Sequence, residues 1–346
     1  SGGGSFVSRG VTLNDADSRL LLNSITLDSA STSLANSGLD VDNNSTITAL
    51  SVGHITPVSI ASGKTLSGAI TVSAGSLKLN EAGTLASSVS MSGGTLDANE
   101  SLAVSGALSH SADITIDVAS GKTLTYSGAA IGVGANTITL SGGGSLVSGG
   151  LTLNNASSKL LLNSITVDNV STSANSLGLD VNANSTVTSL SVGHITPVSI
   201  DTGKTLSGAI TVTAGSIKLG EAGTLASTVS MSGGTLDANE TLTVSGALSQ
   251  GGAITIDVAT GKTLSGAVTV TAGSVKLDEA GTLASTVSMS GGTLDADETL
   301  TLSGALTQAG NITIDVAEDK TLSYSGAAIS LGAYTLTMSG GGTLSN

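Results

Sequence analysis

The decapeptide GKTLSGAITV occupies residues 63–72 and returns unchanged at residues 203–212, and the close copy GKTLSGAVTV follows at residues 261–270. Its second half alternates aliphatic side chains with small or hydroxyl side chains, which is the period of a strand that buries one side. The glycine at its start suits a tight corner. The stretch therefore predicts a corner followed by a strand whose Leu and Ile point inward and whose Lys points to water.

The Gly-Lys-Thr of the decapeptide also invites comparison with a phosphate-binding loop. That loop needs a second glycine five residues before the Gly-Lys pair. β-Branched residues occupy this position in the four copies of the motif, namely Val58, Ile116, Val198 and Ile256. We therefore interpret the motif as part of a structural repeat and not as a nucleotide site.

A regular period appears where the sequence is divided at Thr-Leu, which starts the successive segments 205–223, 224–240 and 241–262. Gly, Ser, Asn and Asp fill the corners between the short alternating strands. A β-solenoid has this pattern, because each coil buries its inward row only when it stacks on its neighbours. At about 19 residues per coil and ~4.8 Å between coils, we predict an all-β, single-stranded right-handed parallel β-helix of roughly 18 coils and ~85 Å length.

Longer repeats indicate how the solenoid is organised. Residues 1–124 match residues 141–264 at an offset of 140, and residues 203–260 match residues 261–318 at an offset of 58. Duplication has therefore acted on blocks of sequence. We predict one continuous solenoid over residues 1–346, with blocks at 1–140 and 141–338, modules at 63–120, 203–260 and 261–318, and the start of a further copy at 339–346.

The composition agrees with a thin core and excludes several classes of protein. The 346 residues include 47 Gly but only one Phe, three Tyr and no Trp, which disfavours a compact two-domain enzyme. Eleven basic and 25 acidic residues give a net charge of −14, so nucleic acid and anionic membranes would be repelled. No stretch reaches the ~18 apolar residues of a membrane helix, and we expect no membrane insertion. The absence of Cys excludes disulfides and thiolate metal sites.

Three stretches resemble the strand repeats of bacterial autotransporter passenger domains and related giant surface adhesins: GGTLDANETLTVSGAL at 233–248, ANTITLSGGGSLV at 135–147 and AYTLTMSGGGTLS at 333–345. The resemblance implies a right-handed parallel β-helix displayed outside a Gram-negative cell. No Gly-Asp-Ser-Gly motif of a serine protease occurs in the chain. The resemblance therefore leaves any activity of the parent protein open.

Carboxylates recur once per module in the turn that contains the sequence TLDANE or TLDADE. Glycan-cleaving β-helix enzymes need several carboxylates that converge on one outer groove. Copies in successive modules lie about three coils, or ~14 Å, apart, which is too far for a two-carboxylate mechanism between modules. We therefore predict a solvated acidic ridge, with a weak calcium site as the alternative. The residues concerned are Asp97, Glu100, Asp237, Glu240, Asp295, Asp297 and Glu298.

The other candidate ligands are isolated. The stretch DVDNNS at 40–45 resembles the start of an EF-hand loop but lacks the Gly at its sixth position and the Glu at its twelfth. His54 and His194 are repeat equivalents, whereas Gln250 replaces His110 in the next copy. We expect these histidines to lie at turns, and we predict no catalytic residue, no metal site and no cofactor.

Thr-x-Thr pairs are the most conspicuous surface feature and raise ice binding as a second class of function. Ice binding would need flat ladders of outward threonines. The pairs occur in different registers relative to Thr-Leu, so we expect them to lie on different faces, where ordinary strand propensity explains them. The pairs are 46/48, 137/139, 186/188, 211/213, 241/243, 269/271, 299/301 and 335/337.

We therefore expect an extracellular or cell-surface structural or adhesive segment of a bacterial repeat protein, and not an enzyme. A glycan-cleaving β-helix is the second alternative. The expected partners are cell-surface glycans, a host or neighbouring cell surface, and other copies of the chain. Residues 339–346 (SGGGTLSN) resemble residues 1–8 (SGGGSFVS) and 141–148 (SGGGSLVS). We therefore expect either a slice of a longer array or the unit of a filament in which copies associate end to end.

Overall fold

The computed structural model describes residues 3–7 and 10–346, and every regular element in them is a β-strand. Positions 1, 2 and 8 of the N-terminal repeat SGGGSFVS lie outside the described residues. Strands pair in parallel with strands one coil further along, as Leu77 does with Leu96 and Ile116 with Leu140. The fold is a β-solenoid of about 17 turns, which confirms the predicted class and nearly matches the predicted number of coils.

The chain divides into two compact units, unit 1 over Ser1–Asn169 and unit 2 over Val170–Asn346. This boundary differs from the predicted block boundary after residue 140. The single continuous domain therefore stays a prediction from the repeats.

Each coil has three sides, which we call face 1, face 2 and face 3 in chain order. In unit 1 they are illustrated by Thr95–Ala98, Leu102–Val104 and Leu108–His110. In some coils one long strand, such as Thr166–Thr172 or Leu242–Gln250, bends at the corner and covers faces 2 and 3 together.

Among the described residues of unit 1, face 1 is a ladder of eight strands, and faces 2 and 3 contain the other strands. The face 1 strands are Arg19–Leu22, Gly38–Val41, Thr56–Ile60, Ser76–Leu79, Thr95–Ala98, Ile114–Val118, Thr137–Ser141 and Lys159–Leu162. The face 2 strands are Gly4–Phe6, Thr84–Leu85, Leu102–Val104, Thr123–Tyr126 and Ser145–Val147. The face 3 strands are Val11–Leu13, Ser88–Met91, Leu108–His110, Ile131–Gly132 and Leu151–Leu153. The strands on both faces are Ile25–Thr32, Ser45–Val52, Thr65–Val72 and Thr166–Thr172, the last of which contains the unit boundary.

Face 1 of unit 2 is a ladder of nine strands. They are Gly178–Val181, Thr196–Ile200, Ser216–Leu219, Thr235–Ala238, Ile254–Val258, Ser274–Leu277, Thr293–Ala296, Ile312–Val316 and Leu336–Gly340. The strands on both of the other faces are Ser185–Val192, Thr205–Val212, Thr224–Met231, Leu242–Gln250 and Thr263–Val270. Face 2 adds Thr282–Leu283, Leu300–Leu302, Thr321–Tyr324 and Thr343–Ser345, and face 3 adds Thr286–Met289 and Leu306–Gln308.

The core of each unit consists of inward columns that contain one aliphatic side chain per coil. On face 1 of unit 1 five successive strands place Leu77, Leu96, Ile116, Leu140 and Leu162 in register. All five are fully buried. Because adjacent strands are only ~4.8 Å apart, each side chain packs directly on the one above and below. A single coil would leave this row in water, so burial depends on stacking.

The decapeptide has the conformation that its sequence predicts. Gly63 adopts a φ of +70° at the corner, and Leu66 and Ile70 are buried. Its second glycine, Gly68, has a φ of +121° where the strand bends from face 2 to face 3. A Cβ atom there would lie 1.7 Å from the carbonyl oxygen of Ile47 in the preceding coil. The bend therefore requires glycine both for its backbone angle and for the close approach of the neighbouring strand.

The next coil places Ser87 at the same corner. This serine is buried, and its hydroxyl donates a 3.3 Å hydrogen bond to the carbonyl of Leu66. In unit 2, Gly208 and Ser227 repeat the arrangement, again with a 3.3 Å hydrogen bond from the serine to Leu206. The corner thus accommodates a residue without a side chain or one whose hydroxyl satisfies a backbone carbonyl.

Replacement of Gly208 by Ala is expected to lower the free energy of unfolding by about 2 kcal/mol or more, because the new Cβ would be strained at a φ of +124° and would displace the Val187 carbonyl from 1.7 Å. Gly203→Ala is the matched control, since Gly203 also has positive φ but no atom within 4 Å of its added Cβ. Chemical denaturation of both variants tests this. Equal losses of unfolding free energy in the two variants would contradict a role for the close approach of the Val187 carbonyl to position 208.

Candidate functional site

The charged side chains of face 1 form columns, because strands such as Thr95–Ala98 and Ile114–Val118 alternate outward Thr and Asp with buried residues and pair in register. In unit 1 the register brings Lys78, Asp97, Asp117 and Ser141 into one outward column. Lys78 Nζ lies 3.3 Å from Asp97 Oδ2, and the Ser141 hydroxyl donates to Asp117 Oδ1. The column is thus a chain of polar contacts along the stacking direction.

The closest carboxylate to the TLDANE aspartate along this column belongs to the next coil, and not to the next module. Asp97 pairs in register with Asp117, one coil away, or ~4.8 Å between strands. The spacing of modules is as predicted, since three coil steps separate Asp237 from Asp295. The neighbouring aspartate belongs to the ITIDVA stretch, which the comparison of TLDANE copies does not include and an alignment of successive coils would reveal.

Unit 2 contains two further copies of the column. The first brings together Lys218, Asp237 and Asp257, with Lys218 Nζ 3.5 Å from Asp237 Oδ2. In the second, Asp295 and Asp315 lie in register, and the Ser339 hydroxyl donates to Asp315. The serine that closes this column is the repeat equivalent of Ser141.

Asp257 is the exception among the three columns, because no serine follows it. The next module begins immediately and places Asp278 beside Asp257 instead. Burial, together with the carboxylates of Asp278, Asp237 and Glu279, raises the pKa of Asp257 to about 6. Its Oδ1 atom is buried and has no hydrogen-bond partner. The junction between two directly joined modules is therefore electrostatically unfavourable at neutral pH.

Lys276 partly offsets this concentration of carboxylates. Its Nζ lies 2.7 Å from Asp278 and 2.8 Å from Asp297. The hydrogen bond from Lys276 lowers the pKa of Asp297, whereas burial and the nearby Asp297 raise the pKa of Asp295. Lys276 and Asp295 lie on the outward side of face 1, and Asp278 and Asp297 lie at the adjoining corner between faces 1 and 2.

The corner between faces 1 and 2 carries a second repeated contact. After each of the three modules, the lysine of a Lys-Thr-Leu motif binds the module's glutamate in the preceding coil, at Nζ to Oε2 distances of 2.5–2.6 Å. These lysines point outward, as predicted for the Lys of the decapeptide, and the half-exposed glutamates of the predicted solvated acidic ridge form ion pairs with them. Each pair is half exposed and contributes about 0–1 kcal/mol. The pairs are Lys122 with Glu100, Lys262 with Glu240 and Lys320 with Glu298.

The other candidate ligands contact neighbouring coils. In DVDNNS, Asp40 pairs with Arg19, and Asn43 donates a 2.7 Å hydrogen bond to Asn23. Among the described residues no group of three or more His, Cys, Asp or Glu side chains is arranged to hold a metal ion. Asp40 and Asn43 of this stretch thus contact the preceding coil.

The histidines differ in their surroundings. His54 and His194 lie exposed at bends, as predicted. His110 ends a face 3 strand instead of lying in a turn, and its ring nitrogens are 3.1 Å from the Ala112 carbonyl and 3.0 Å from the Gly132 carbonyl. Its repeat equivalent Gln250 is buried at the same strand end.

Comparison with protein-family models, with curated proteins and with solved structures gives no match to this chain. The described residues contain no helix that is long and apolar enough to span a membrane. The resemblance to autotransporter passenger repeats stays a prediction from the sequence.

Removal of the Asp257 charge is expected to stabilise the protein at neutral pH. The folded pKa of about 6 lies above the ordinary 3.8, so the unfavourable charge is fully present above pH 6 and is relieved as the pH falls from 6 to 4. Asp257→Asn should therefore be more stable than the parent by about 1–2 kcal/mol at pH 7.5 and nearly equal to it at about pH 4.

The matched control is Asp117→Asn, because the Ser141 hydroxyl donates to that carboxylate. This variant should lose stability at pH 7.5. Thermal unfolding of the parent and of both variants between pH 4 and 8 measures these stability differences. A difference between Asp257→Asn and the parent that does not change with pH would contradict the assignment.

Proposed function

We propose that this chain is a structural or adhesive segment of a bacterial repeat protein that acts outside the cell as a stalk, spacer or fibre body. The observation that carries the proposal is the coil-to-coil use of its charged groups. Lysine and carboxylate side chains recur in three columns and three corner pairs, and their ion pairs, such as Lys78 with Asp97, Lys218 with Asp237 and Lys122 with Glu100, join neighbouring coils. Such contacts support stacking.

The mechanism is mechanical. Detaching one coil within a unit breaks the backbone hydrogen bonds of three faces and exposes an aliphatic row to water, so many weak contacts must be lost together. Carboxylates and lysines on face 1 add further contacts along the same direction. A stalk or spacer that carries binding sites needs this resistance to unfolding under load.

The outer surface suits a partner that is not a polyanion. In unit 2, all of whose residues the structure describes, every Asp, Glu, Lys and Arg lies on face 1 or at the corner between faces 1 and 2. There, 14 acidic and five basic residues leave a net charge of −9. Faces 2 and 3 of unit 2 are uncharged. We infer that neutral glycans or neighbouring cell surfaces are met by the uncharged faces.

Force spectroscopy tests the structural role. The chain is placed between two marker domains of known mechanical strength and pulled from its ends. Unfolding is expected above the force of the markers, in steps that are multiples of about 70 Å, since a coil of about 20 residues extends by ~3.5 Å per residue. Unfolding below the force of both markers would count against a load-bearing function.

Ice binding is a second candidate, and the structure of face 3 is the observation that favours it. Face 3 of unit 2 presents three outward columns in seven successive coils, at spacings of ~4.8 Å between coils and ~6.7 Å along a strand. We call these residues the face 3 array, and all of them are Ala, Gly, Ser or Thr. Its rows are Ser189, Ser191 and Gly193; Ala209, Thr211 and Thr213; Thr228, Ser230 and Ser232; Ala247, Ser249 and Gly251; Ala267, Thr269 and Thr271; Thr286, Ser288 and Ser290; and Ala305, Thr307 and Ala309.

The array is not the set of Thr-x-Thr pairs that the sequence suggested. Thr211 and Thr213 belong to it, whereas Thr243 lies on face 2 and Thr137 lies on face 1 of unit 1. The prediction that the pairs lie on different faces is confirmed. The array instead combines hydroxyl and methyl groups at regular spacing without charge, which is the chemistry that can order a layer of water.

Thermal hysteresis of the purified chain tests this candidate. The double variant Thr211→Lys and Thr269→Lys is expected to abolish any hysteresis, because two long charged side chains interrupt the array. Thr235→Lys and Thr255→Lys on face 1 form the matched control. No hysteresis in the parent chain, or the same loss in both double variants, would exclude the face 3 array as an ice-binding surface.

A further inference from the structure

The last coil of unit 2 exposes aliphatic side chains that are buried in the equivalent coil of unit 1. Residues 329–340 repeat residues 131–142 at an offset of 198. Leu331 and Met338 are 43% and 55% exposed, whereas their equivalents Val133 and Leu140 are both 0% exposed. The coil at 329–340 therefore has an inward row that lacks the cover its counterpart has.

The cover in unit 1 is the coil formed by residues 151–162. Leu151 pairs in register with Ile131, and the backbone N–H of Val133 donates to the carbonyl of Thr152. On face 1, Thr137–Leu140 pair residue by residue with Lys159–Leu162. Unit 1 thus contains a complete example of how the end of one block stacks against the beginning of the next.

A second coil with the sequence of this cover lies near the N-terminus. Residues 11–22, VTLNDADSRLLL, repeat residues 151–162, LTLNNASSKLLL, at an offset of 140. Val11 and Leu20 are half exposed, although their equivalents Leu151 and Leu160 are fully buried. The coils at 11–22 and 329–340 therefore have incompletely covered inward rows that match the two sides of the internal junction in unit 1.

We propose that the coil at 329–340 of one molecule docks on the coil at 11–22 of a second copy of this chain. The internal junction assigns the register, in which Leu336 pairs with Leu20, Thr337 with Leu21 and Met338 with Leu22. The docking extends the parallel ladder and covers both incomplete inward rows. This assignment rests on the structural role proposed above and names its partner.

One strand must move for the docking to occur. Thr343–Ser345 pairs with Thr321–Ser323 on face 2, as Ser145–Val147 pairs with Thr123–Thr125. Gly4–Phe6 is the repeat equivalent of the same strand and pairs with Ile25–Leu27 on its other side. Between the two docked molecules, face 2 has one strand position that either Thr343–Ser345 or Gly4–Phe6 can occupy. Removal of residues 341–346 should therefore favour association, because it removes one competitor.

Cysteine cross-linking tests the register directly, since the chain has no cysteine of its own. The outward pair Leu21→Cys and Thr337→Cys would be ~4.8 Å apart across the joint, within the Cα range of a disulfide. The control pair Leu21→Cys and Thr335→Cys would be ~8 Å apart, which is beyond that range. Both pairs are made in the full chain and in the chain without residues 341–346.

Mild oxidation of the first pair at high concentration is expected to give a ladder of disulfide-linked multimers, and the control pair should stay largely monomeric. Removal of residues 341–346 should increase the multimers at least about threefold. A rise in salt should act in the same direction, because it screens the repulsion between chains of charge −14.

Met338→Lys places a charge in the inward row and should abolish association, measured by sedimentation velocity without cross-linking. Ser92→Lys, in an exposed corner, is the control that should leave association unchanged. Strictly monomeric behaviour of the full and shortened chains, or equal cross-linking of both cysteine pairs, would overturn the docking. If monomers still resist force as expected above, the structural role survives and only the docking is wrong.

Discussion

Stacking of one aliphatic row on the next is the interaction on which each unit depends. Leu96 packs between Leu77 and Ile116 because parallel pairing places equivalent positions of successive coils directly above one another. A single coil would leave this row open to water above and below, so its burial requires neighbouring coils. A unit is therefore stable as a stack, and its sequence can repeat with small changes as long as each inward position stays aliphatic.

The corners impose the second constraint. Where faces 2 and 3 meet, the strands of successive coils approach so closely that Gly68 leaves no space for a Cβ, and Ser87 is accommodated by a hydrogen bond to the neighbouring carbonyl. The alternation of Thr-Leu-Ser-Gly with Thr-Leu-Ala-Ser in the modules has this physical cause. Turn glycines such as Gly63 have no such neighbour, and only their backbone angle explains them.

Duplication of whole blocks preserves these contacts inside a block and changes them at the joints. Asp117 and Asp315 receive a hydroxyl from the coil that follows, whereas Asp257 meets Asp278 because a module was joined directly to another. The aliphatic rows continue through the same joint without interruption. The joints between repeated segments therefore differ in their polar contacts, whereas the aliphatic core is the same through each joint.

The sequence by itself determined the all-β class, the coil period, the inward and outward positions of the decapeptide, and the separation of Thr-x-Thr pairs onto different faces. These properties follow from alternation and repetition, which are local features of the chain. The approximate number of coils followed from the same period, since every coil has nearly the same length. Only the tertiary structure decided which residues of different coils meet. The ion pair of Lys122 with Glu100, the placement of Asp97 beside Asp117 and the crowding of carboxylates around Asp257 depend on the register between coils, which varies along the chain. A shift of one position in that register would turn each of these side chains toward another neighbour. The face 3 array depends on the same register, because its columns combine three strand positions whose residue types differ between coils. Sequence periodicity sets which side of a strand is outward, and the register between coils sets what lies beside it.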